Sequence, residues 1–526
     1  MLEESGAGKE VEAKGQNGGA AKASAQRRSK AMKSASAAKR YVPKRTLRFV
    51  TATSLFDGHD AAINVMRRIL QAAGAEVVHL GHNRSVDEVV TAAIQEDAHG
   101  IAVSSYQGGH VEFFKYMIDL LAERGASHIK VFGGGGGVIV PEEIRELQSY
   151  GVARIYAPED GQKLGLQGII DDMLRRADAD LAKALPKDLT LFDSGNHGTL
   201  SRVITTLELG KPRIKFRKEI ERRAEARGEI PVVGLTGTGG AGKSSLTDEI
   251  VRRFRLSDPD LKLAIIAVDP SKRRTGGALL GDRIRMNAIH HANVYMRSLA
   301  TRESGTELAA CLPDAIMACK AAGHDLIIVE TSGIGQGDAE IVPHVDVTIY
   351  AMTPEYGAAS QLEKIDMLDF ADFVVINKFD RKGAEDALRD VRKQFQRNHE
   401  LFGERPESMP VFGTIASKFN DKGVTALHHA LVEALHAGGL IDWGGGQHAD
   451  QAKTSSDRDL IVPAERSRYL AEISDSVRSY HQQTEEQTKL ARERQQLNAA
   501  AKMLSHAGGE TAELDRLAAE RQAGLD

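Results

Sequence analysis

Cysteine is almost missing from this sequence of 526 residues, which holds only Cys311 and Cys319. Two thiols in one helical stretch, LAACLPDAIMACKAAG, exclude a disulfide scaffold and are too few for a zinc or iron–sulfur centre, so both are expected as buried core side chains. Long apolar runs are missing as well. None approaches the ~20 residues that span a bilayer, and a soluble, cytoplasmic chain with no membrane partner is expected. Neither charge sign dominates: 69 Lys and Arg stand against 73 Asp and Glu, a net of −4, so no global field draws the chain to nucleic acid. Proline is scarce at 14 residues whereas glycine reaches 51, a balance that favours tight turns over proline-rich spacers. At roughly 150 residues per domain, the length accommodates about three domains.

Residues 1–45 are rich in Ala, Ser, Gly and Lys, and Lys14 to Arg45 contains no acidic residue. Such a segment cannot bury enough apolar area to order itself, so a disordered basic arm is expected. Glu3, Glu4, Glu10 and Glu12 sit where an organelle transit peptide should be acid-poor. From 46 to 180 the texture changes. Short apolar runs (LRFVTAT, EVVHLG, GIAVSSY, IKVFGG, ARIYAP) alternate with amphipathic stretches, the pattern of βα units around a parallel sheet covered on both faces. Ligands of such sheets lie beyond the carboxyl ends of the strands, which places the loops after Thr53, Ser104 and Phe132 on the functional edge. A charged helical connector is expected over 181–230. A second α/β domain follows over 231–442, with strands VVGLTG, LAIIAVD, DLIIVET, VDVTIYAM, FVVINK and PVFGTIA. A flexible linker over 443–462 leads to a helical tail over 463–526, whose Tyr469, Ile473, Val477 and Tyr480 fall on one face at helical spacing. No internal repeat is visible beyond the βα alternation.

The second domain opens on Gly237-Thr238-Gly239-Gly240-Ala241-Gly242-Lys243-Ser244-Ser245, a G-x-x-x-x-G-K-S loop between a predicted strand and a predicted helix. Its glycines let backbone NH groups turn toward phosphate oxygens, Lys243 meets the terminal phosphates and Ser244 offers a hydroxyl to magnesium. Asn377-Lys378-Phe379-Asp380 ends a later strand. There the Asp380 carboxylate can accept two hydrogen bonds from the ring NH and exocyclic amine of guanine, a pair that adenine lacks. The stem of Lys378 can cover the base, and the loop Ala416-Ser417-Lys418 can bring a backbone NH to the guanine oxygen. GTP is therefore the expected nucleotide. Glu330-Thr331-Ser332-Gly333 ends DLIIVE, where Gly333 can present its NH to the γ-phosphate and Glu330 can reach magnesium directly or through water. Asp269 and Asp282 add carboxylates on the intervening segment. From spacing alone Asp282 fits a solvated loop acid equally well, and Arg285 a surface ion-pair partner.

In the first domain Asp57-Gly58-His59-Asp60 follows the first strand. A lone His or Asp there is most often a helix cap. Asp57, however, stands two residues before His59, where it can hold the imidazole tautomer if His59 ligates a metal. Ser104-Ser105-Tyr106 and the run Gly133 to Gly137 end two other strands on the same edge, and glycines there let a large flat ligand or its tail pass close to the backbone.

These residues resemble a family. Asp57-x-His59, Ser104-x-Tyr106 and Gly136-Gly137 are similar to the D-x-H-x-x-G, S-x-L and G-G signature of cobalamin-binding domains in acyl-CoA mutases, with Ala62 in place of the first motif's glycine and Tyr106 in place of its Leu. The resemblance implies a flavodoxin-like domain. In it His59 is the lower ligand of cobalt in adenosylcobalamin, and the nucleotide tail runs between the Ser104 and Gly136-Gly137 loops. The second domain resembles the P-loop GTPase chaperones of those mutases. That implies that Ser244, Asp269, Asp282 and Glu330 surround magnesium and that Arg285 approaches the nucleotide. Both domains in this order, followed by a helical linker, are similar to the fused isobutyryl-CoA mutase family, whose substrate-binding barrel of about 250 residues has no room in this sequence. The resemblance therefore implies the adenosylcobalamin-binding, GTP-hydrolysing chaperone portion of a homodimeric mutase that interconverts isobutyryl-CoA and n-butyryl-CoA only with a barrel partner. Two other readings share parts of the pattern: a free-standing GTPase metallochaperone, which would need a Cys/His cluster for its metal, and a cobalamin-dependent sensor for a separate partner.

Overall fold

The computed structural model describes residues 40–184, 189–209, 214–272, 274–281, 283–302, 308–333, 338–357, 359–443, 453–455 and 469–525. Nearly all of the expected basic arm, most of the expected linker, and Asp282 lie outside the described residues. The chain divides after Ser455 into two compact units.

In the first unit two parallel sheets form. The first uses β1 (Arg48–Thr53), β2 (Glu76–His79), β3 (Gly100–Ser104), β4 (Lys130–Gly134) and β5 (Arg154–Tyr156). Every residue of β1 and β3 is buried, as expected of strands covered on both faces. The covering helices start where local chemistry allows. Ser85 and Glu88 form a reciprocal capping box at the head of Val86–Gln95, and proline opens both Pro141–Tyr150 and Pro158–Ala177. The second sheet contains β6 (Val232–Gly237), β7 (Leu263–Asp269), β9 (Val294–Ala300), β10 (Leu326–Glu330), β11 (Val347–Met352), β12 (Phe373–Asn377) and β13 (Val411–Thr414), in the order β13-β12-β11-β6-β10-β7-β9. The short strand β8 (Ala278–Leu280) comes from this second region but pairs with β2, so the first sheet reads β5-β4-β3-β1-β2-β8.

Neither β8 nor β9 was legible as a strand. Three residues are too few for a periodic signal, and β9 carries the charged Arg297 at its centre although every one of its residues is buried. Arg297 is tolerated because its Nη2 donates to Thr205 Oγ1 and Glu208 Oε2, both at 3.0 Å. Those partners lie on the helix His197–Glu208, within the expected connector. This helix is a wedge rather than a spacer: residues 199–207 are all buried. Arg202 pairs with Asp97 at 2.7 Å and Glu208 with Arg48 at 3.1 Å, tying the helix to the first sheet. Arg48 in turn meets Glu76 at 2.7 Å. Burial pushes the Glu76 carboxyl up, but the guanidinium groups of Arg48 and Arg302 outweigh it and hold it down at about 2. The helix Ile214–Glu225 is the charged part of the connector and buries only Ile220. Cys319 is buried as expected whereas Cys311 is half-buried, and desolvation pushes the Cys311 thiol up to about 12 and raises that of Cys319 as well.

The second unit is a helical hairpin. Tyr469–His506 turns at Gly508 (φ 78) into Ala512–Ala523, and Arg521 pairs with Glu493 at 2.7 Å. Ile473, Val477 and Tyr480 are exposed on the long helix; the side chain of Tyr469 lies outside the described residues. Among the described residues no helix is long and apolar enough to cross a membrane.

Candidate functional site

The carboxyl ends of the second sheet carry the phosphate loop. The chain turns there through Gly237 (φ 138), Gly240 (φ 76) and Gly242 (φ 87). A Cβ at Gly242 would lie 2.6 Å from Asn377 Nδ2, so only glycine fits both the backbone angle and the space. Lys243 Nζ donates to the carbonyls of Gly237 (2.9 Å) and Thr238 (3.2 Å). Ser244 Oγ donates to Glu330 Oε1 at 2.6 Å, and Thr247 Oγ1 donates to Glu330 Oε2 at 2.8 Å. Thr247 was not singled out from sequence, yet it sits one helical turn after Lys243, where a side chain must face the end of β10. Gly333 packs against the Lys243 ammonium and the Gly237 carbonyl, with no room for a Cβ. Asp269 Oδ2 accepts from the Gly281 amide at 2.5 Å.

Gly240, Lys243, Ser244, Asp269, Arg285, Glu330 and Ser332 line a cavity of about 220 Å³. Ser332 Oγ and Thr238 Oγ1 are buried with no hydrogen-bond partner among the described residues. A buried hydroxyl left unpaired costs about 1–3 kcal/mol, and a phosphate oxygen or a metal-bound water would satisfy it, so the donor set fits a magnesium nucleotide.

The base-reading segment is arranged unevenly. Asn377 is buried and ties three loops together: its Nδ2 donates to the Ala241 carbonyl at 2.7 Å, while its Oδ1 accepts from Thr414 Oγ1 at 3.1 Å and from the Ala416 amide at 3.0 Å. Lys378 adopts a left-handed conformation (φ 59) and its Nζ reaches the Gly240 carbonyl at 2.7 Å. The Phe379 ring is buried against Gly413. Asp380 and Ser417 are exposed and open to a ligand. Gly239 and Ser245 belong to the loop and the first helical turn.

A second edge lies at the carboxyl ends of the first sheet. Asp57 is fully buried whereas the His59 side chain is 67% exposed. Asp57 Oδ1 accepts from the His59 amide (2.9 Å) and faces its Nδ1 at 2.8 Å, and Oδ2 accepts from the Tyr106 amide at 2.5 Å. Burial pushes this carboxyl up, but those amides and the imidazole outweigh it and hold it below the usual carboxylate range. An anionic Asp57 fixes the proton on His59 Nδ1 and turns Nε2, with its lone pair, outward. The Tyr106 ring lies 6.0 Å from the imidazole. Behind them Ala62, Met66, Ser104, Tyr106, Gly136 and Leu166 help line a largely apolar cavity of about 350 Å³. Ser104 Oγ donates to Thr53 Oγ1 at 3.3 Å. Gly136 takes φ 59, and a Cβ there would meet Tyr106 Cε1 at 3.0 Å, whereas Gly137 faces open space. An exposed imidazole beside a glycine-walled slot fits a metal-centred flat group with a long tail.

Among the described residues no group of three or more His, Cys, Asp or Glu side chains is arranged to hold a metal ion on its own. Asp282, which the resemblance adds to the magnesium set, lies outside the described residues.

A family model described as methylmalonyl Co-A mutase-associated GTPase MeaB matches residues 200–508, and one described as a B12 binding domain matches residues 47–165. The chain is 64% identical over 484 residues to the fused isobutyryl-CoA mutase of Cupriavidus metallidurans, covering 92% of this chain and 44% of that protein. With the fused isobutyryl-CoA mutase of Geobacillus kaustophilus it shares 56% identity over 479 residues, covering 89% of this chain and 44% of that protein. The chain thus spans less than half the length of these relatives. Among solved structures it is similar to a LAO/AO transport system kinase at a TM-score of 0.35 and 22% identity, covering 65% of this chain and 96% of that one.

Proposed function

The chain belongs to the family of methylmalonyl Co-A mutase-associated GTPases, and on that premise we propose that it is the adenosylcobalamin-binding, GTP-hydrolysing chaperone portion of an acyl-CoA mutase. The observation that carries this reading is the coexistence, in one compact unit, of two sites. One is a phosphate loop facing Glu330, and the other is an imidazole oriented by a buried carboxylate over a slot. In this reading His59 Nε2 would hold cobalt, Asp57 would keep the proton on Nδ1, and the loops at Ser104, Tyr106, Gly136 and Gly137 would receive the tail. Adenosylcobalamin, when bound, supplies a weak cobalt–carbon bond as a source of radicals. At the other edge Lys243 neutralises the terminal phosphates, Ser244, Asp269 and Glu330 hold magnesium together with Asp282, and the Gly333 amide faces the γ-phosphate. Arg285 approaches the phosphates, and Asp380 selects guanine.

The isomerisation of isobutyryl-CoA and n-butyryl-CoA belongs, in this proposal, to an assembly with a substrate-binding barrel in the cytoplasm, built around a dimer of this chain. The extents 46–180 for cobalamin and 231–442 for GTP follow the same reading, with 181–230 as the connector and 463–526 as the tail. His59→Ala tests the cobalamin half. Bound cofactor should show a base-off, histidine-on absorbance spectrum that the variant loses, and an unchanged spectrum would sink the assignment. Asp380→Asn tests the other half: it exchanges an acceptor for a donor and should move preference from GTP toward xanthosine triphosphate. Equal competition by ATP in the unaltered protein would refute the guanine reader.

A further inference from the structure

Residues 453–455 lie in the stretch that the sequence marks as a flexible linker, yet they run alongside β13, the edge strand of the second sheet. Thr454 forms a parallel bridge with Gly413: the Gly413 amide donates to the Lys453 carbonyl at 3.0 Å, and the Ser455 amide donates to the Gly413 carbonyl at 2.9 Å. An edge strand presents open amides and carbonyls, and this short segment takes up those of one residue. Lys453 anchors one end of it. Its Nζ donates to the carbonyls of Ser408 (2.7 Å) and Met409 (3.1 Å) and lies 5.9 Å from the centre of the Phe412 ring.

Ser455 anchors the other end on a buried acid. Its Oγ donates to the Asp421 carboxylate, 2.7 and 2.8 Å from the two oxygens. Asp421 caps the helix Lys422–Ala437, and its Oδ2 accepts from the Val424 amide at 3.0 Å. The same oxygen accepts from the Ile415 amide at 3.2 Å. Gly423 packs on the Gly413 carbonyl and on Ser455 Oγ with no room for a Cβ, so the clip closes tightly on the sheet. From the helix Lys243–Ser257, Arg253 Nη2 donates to the Asp421 carbonyl at 2.9 Å and fixes the backbone beneath the carboxylate.

Residues 413–416 in turn support both base-reading segments. The Phe379 ring packs on Gly413, and the Phe379 amide donates to the Thr414 carbonyl at 3.0 Å. Thr414 Oγ1 and the Ala416 amide both donate to Asn377 Oδ1. Ile415 immediately precedes Ala416-Ser417-Lys418, the turn whose backbone NH is expected at the guanine oxygen. A buried carboxylate that loses a donor must recruit another or admit water, and an amide sharing its oxygen moves with it.

We infer that Lys453 and Ser455 are positioning residues for base selection: the linker segment clips onto Gly413 and Asp421 and sets the turn at 415–418 that meets the guanine oxygen, an inference that rests on the guanine-reading assignment above. Asp380 reads the ring NH and the amine without help from this clip. The two halves of guanine recognition therefore depend on different parts of the chain, and the linker serves the oxygen alone.

The test measures dissociation constants for nucleoside diphosphates with magnesium on the whole chain. Inosine diphosphate keeps the guanine oxygen and lacks the amine. 6-Thioguanosine diphosphate keeps the ring NH and the amine and carries sulfur, a weaker acceptor, in place of the oxygen. The unaltered protein should bind 6-thioguanosine diphosphate about 10-fold more weakly than GDP. Ser455→Ala removes a single hydroxyl and should reduce that ratio to about 3-fold or less, while the ratio of inosine diphosphate to GDP stays as it was. Lys453→Met, which releases the other anchor, should move the sulfur ratio in the same direction. Equal weakening of every nucleotide in Ser455→Ala, or a sulfur ratio unchanged in both variants, overturns the inference. Equal binding of GDP and 6-thioguanosine diphosphate by an unaltered protein that still rejects ADP overturns it too and leaves the guanine assignment standing. Equal binding of ADP and GDP would instead remove that assignment, and the inference with it.

Discussion

The two carboxyl edges of this molecule are prepared in opposite ways. At the nucleotide edge the charged groups are already engaged from within: Lys243 is spent on two loop carbonyls, and Ser244 and Thr247 occupy both oxygens of a buried Glu330. At the other edge the reacting side chain is displayed, with His59 mostly exposed and its order supplied from beneath by Asp57. A nucleotide must therefore replace internal hydrogen bonds, so its affinity depends on the charge it brings. A cobalt centre meets an imidazole that is already oriented, so its affinity depends on what holds that imidazole.

The largest expected effect follows from the first half of this contrast. Lys243→Ala removes the cation that meets the terminal phosphates and should lower GTP turnover by at least about 100-fold, read from phosphate release at saturating magnesium. The same variant should keep the histidine-on cobalamin spectrum, because nothing at His59 touches Lys243. Loss of both functions together would show that the edges are not separately built. Asp57→Ala addresses the second half. A group that orients a metal-ligating histidine typically changes metal affinity by about 10 to 100-fold, so cobalamin titrations should weaken by that much while GTP turnover persists. An Asp57→Ala protein with unaltered cobalamin affinity would mean that the imidazole is held by something else.

The position of both edges was readable because the motif at each is written in consecutive residues. The phosphate loop, Asn377 to Asp380, Glu330 to Gly333 and Asp57 to His59 are local strings with a fixed strand-loop-helix setting, and the structure places each at a strand end. Hidden from that reading were features that depend on distant partners. β9 looks unlike a strand because Arg297 is intelligible only beside Glu208 and Thr205. β8 is invisible because its pairing partner is about 200 residues earlier in the chain. The helix His197–Glu208 reads as part of a spacer because the elements that bury it, Val86–Gln95 and Leu312–Ala321, are distant in sequence. The sequence placed Asn377 among the nucleotide-binding residues; what it did not show is that its side chain ties the phosphate loop to the Thr414–Ala416 turn.

A smaller effect tests whether the two edges share one seam. His197 lies between the sheets, its ring 5.3 Å from that of Tyr295, and burial followed by the charge of Arg283 pulls its pKa down to about 4. In the unfolded chain an imidazole titrates near 6.5. The folded protein keeps His197 neutral while the unfolded chain is protonated below that value, so its contribution is fully present above pH ~6.5 and is lost as pH falls toward 4. Each pH unit well inside that window costs about 1.4 kcal/mol, and less at its two ends. Denaturant titrations at pH 6.5 and 5.5 should show the unaltered protein losing about 1 kcal/mol more than His197→Gln. Equal losses in the two proteins would place the acid sensitivity elsewhere.

The smallest effect concerns strain. At the phosphate loop the left-handed positions are glycines, which adopt them without steric cost. Beside His59 the same backbone region is occupied by Phe56, whose side chain is 80% exposed and so gains little from burial. Phe56→Gly removes the left-handed penalty but returns flexibility to the unfolded chain and to the loop, two terms of opposite sign and each near 1 kcal/mol. Global stability should therefore stay within about 1 kcal/mol of the original, measured by denaturant titration. Cobalamin affinity should nonetheless fall by a few-fold, because a loop with glycine at that position must be ordered on binding rather than before it. If the Gly variant binds cobalamin as tightly as the original and is also more stable, the strained Phe56 contributes nothing to presenting His59. The second edge would then be prepared by Asp57 alone.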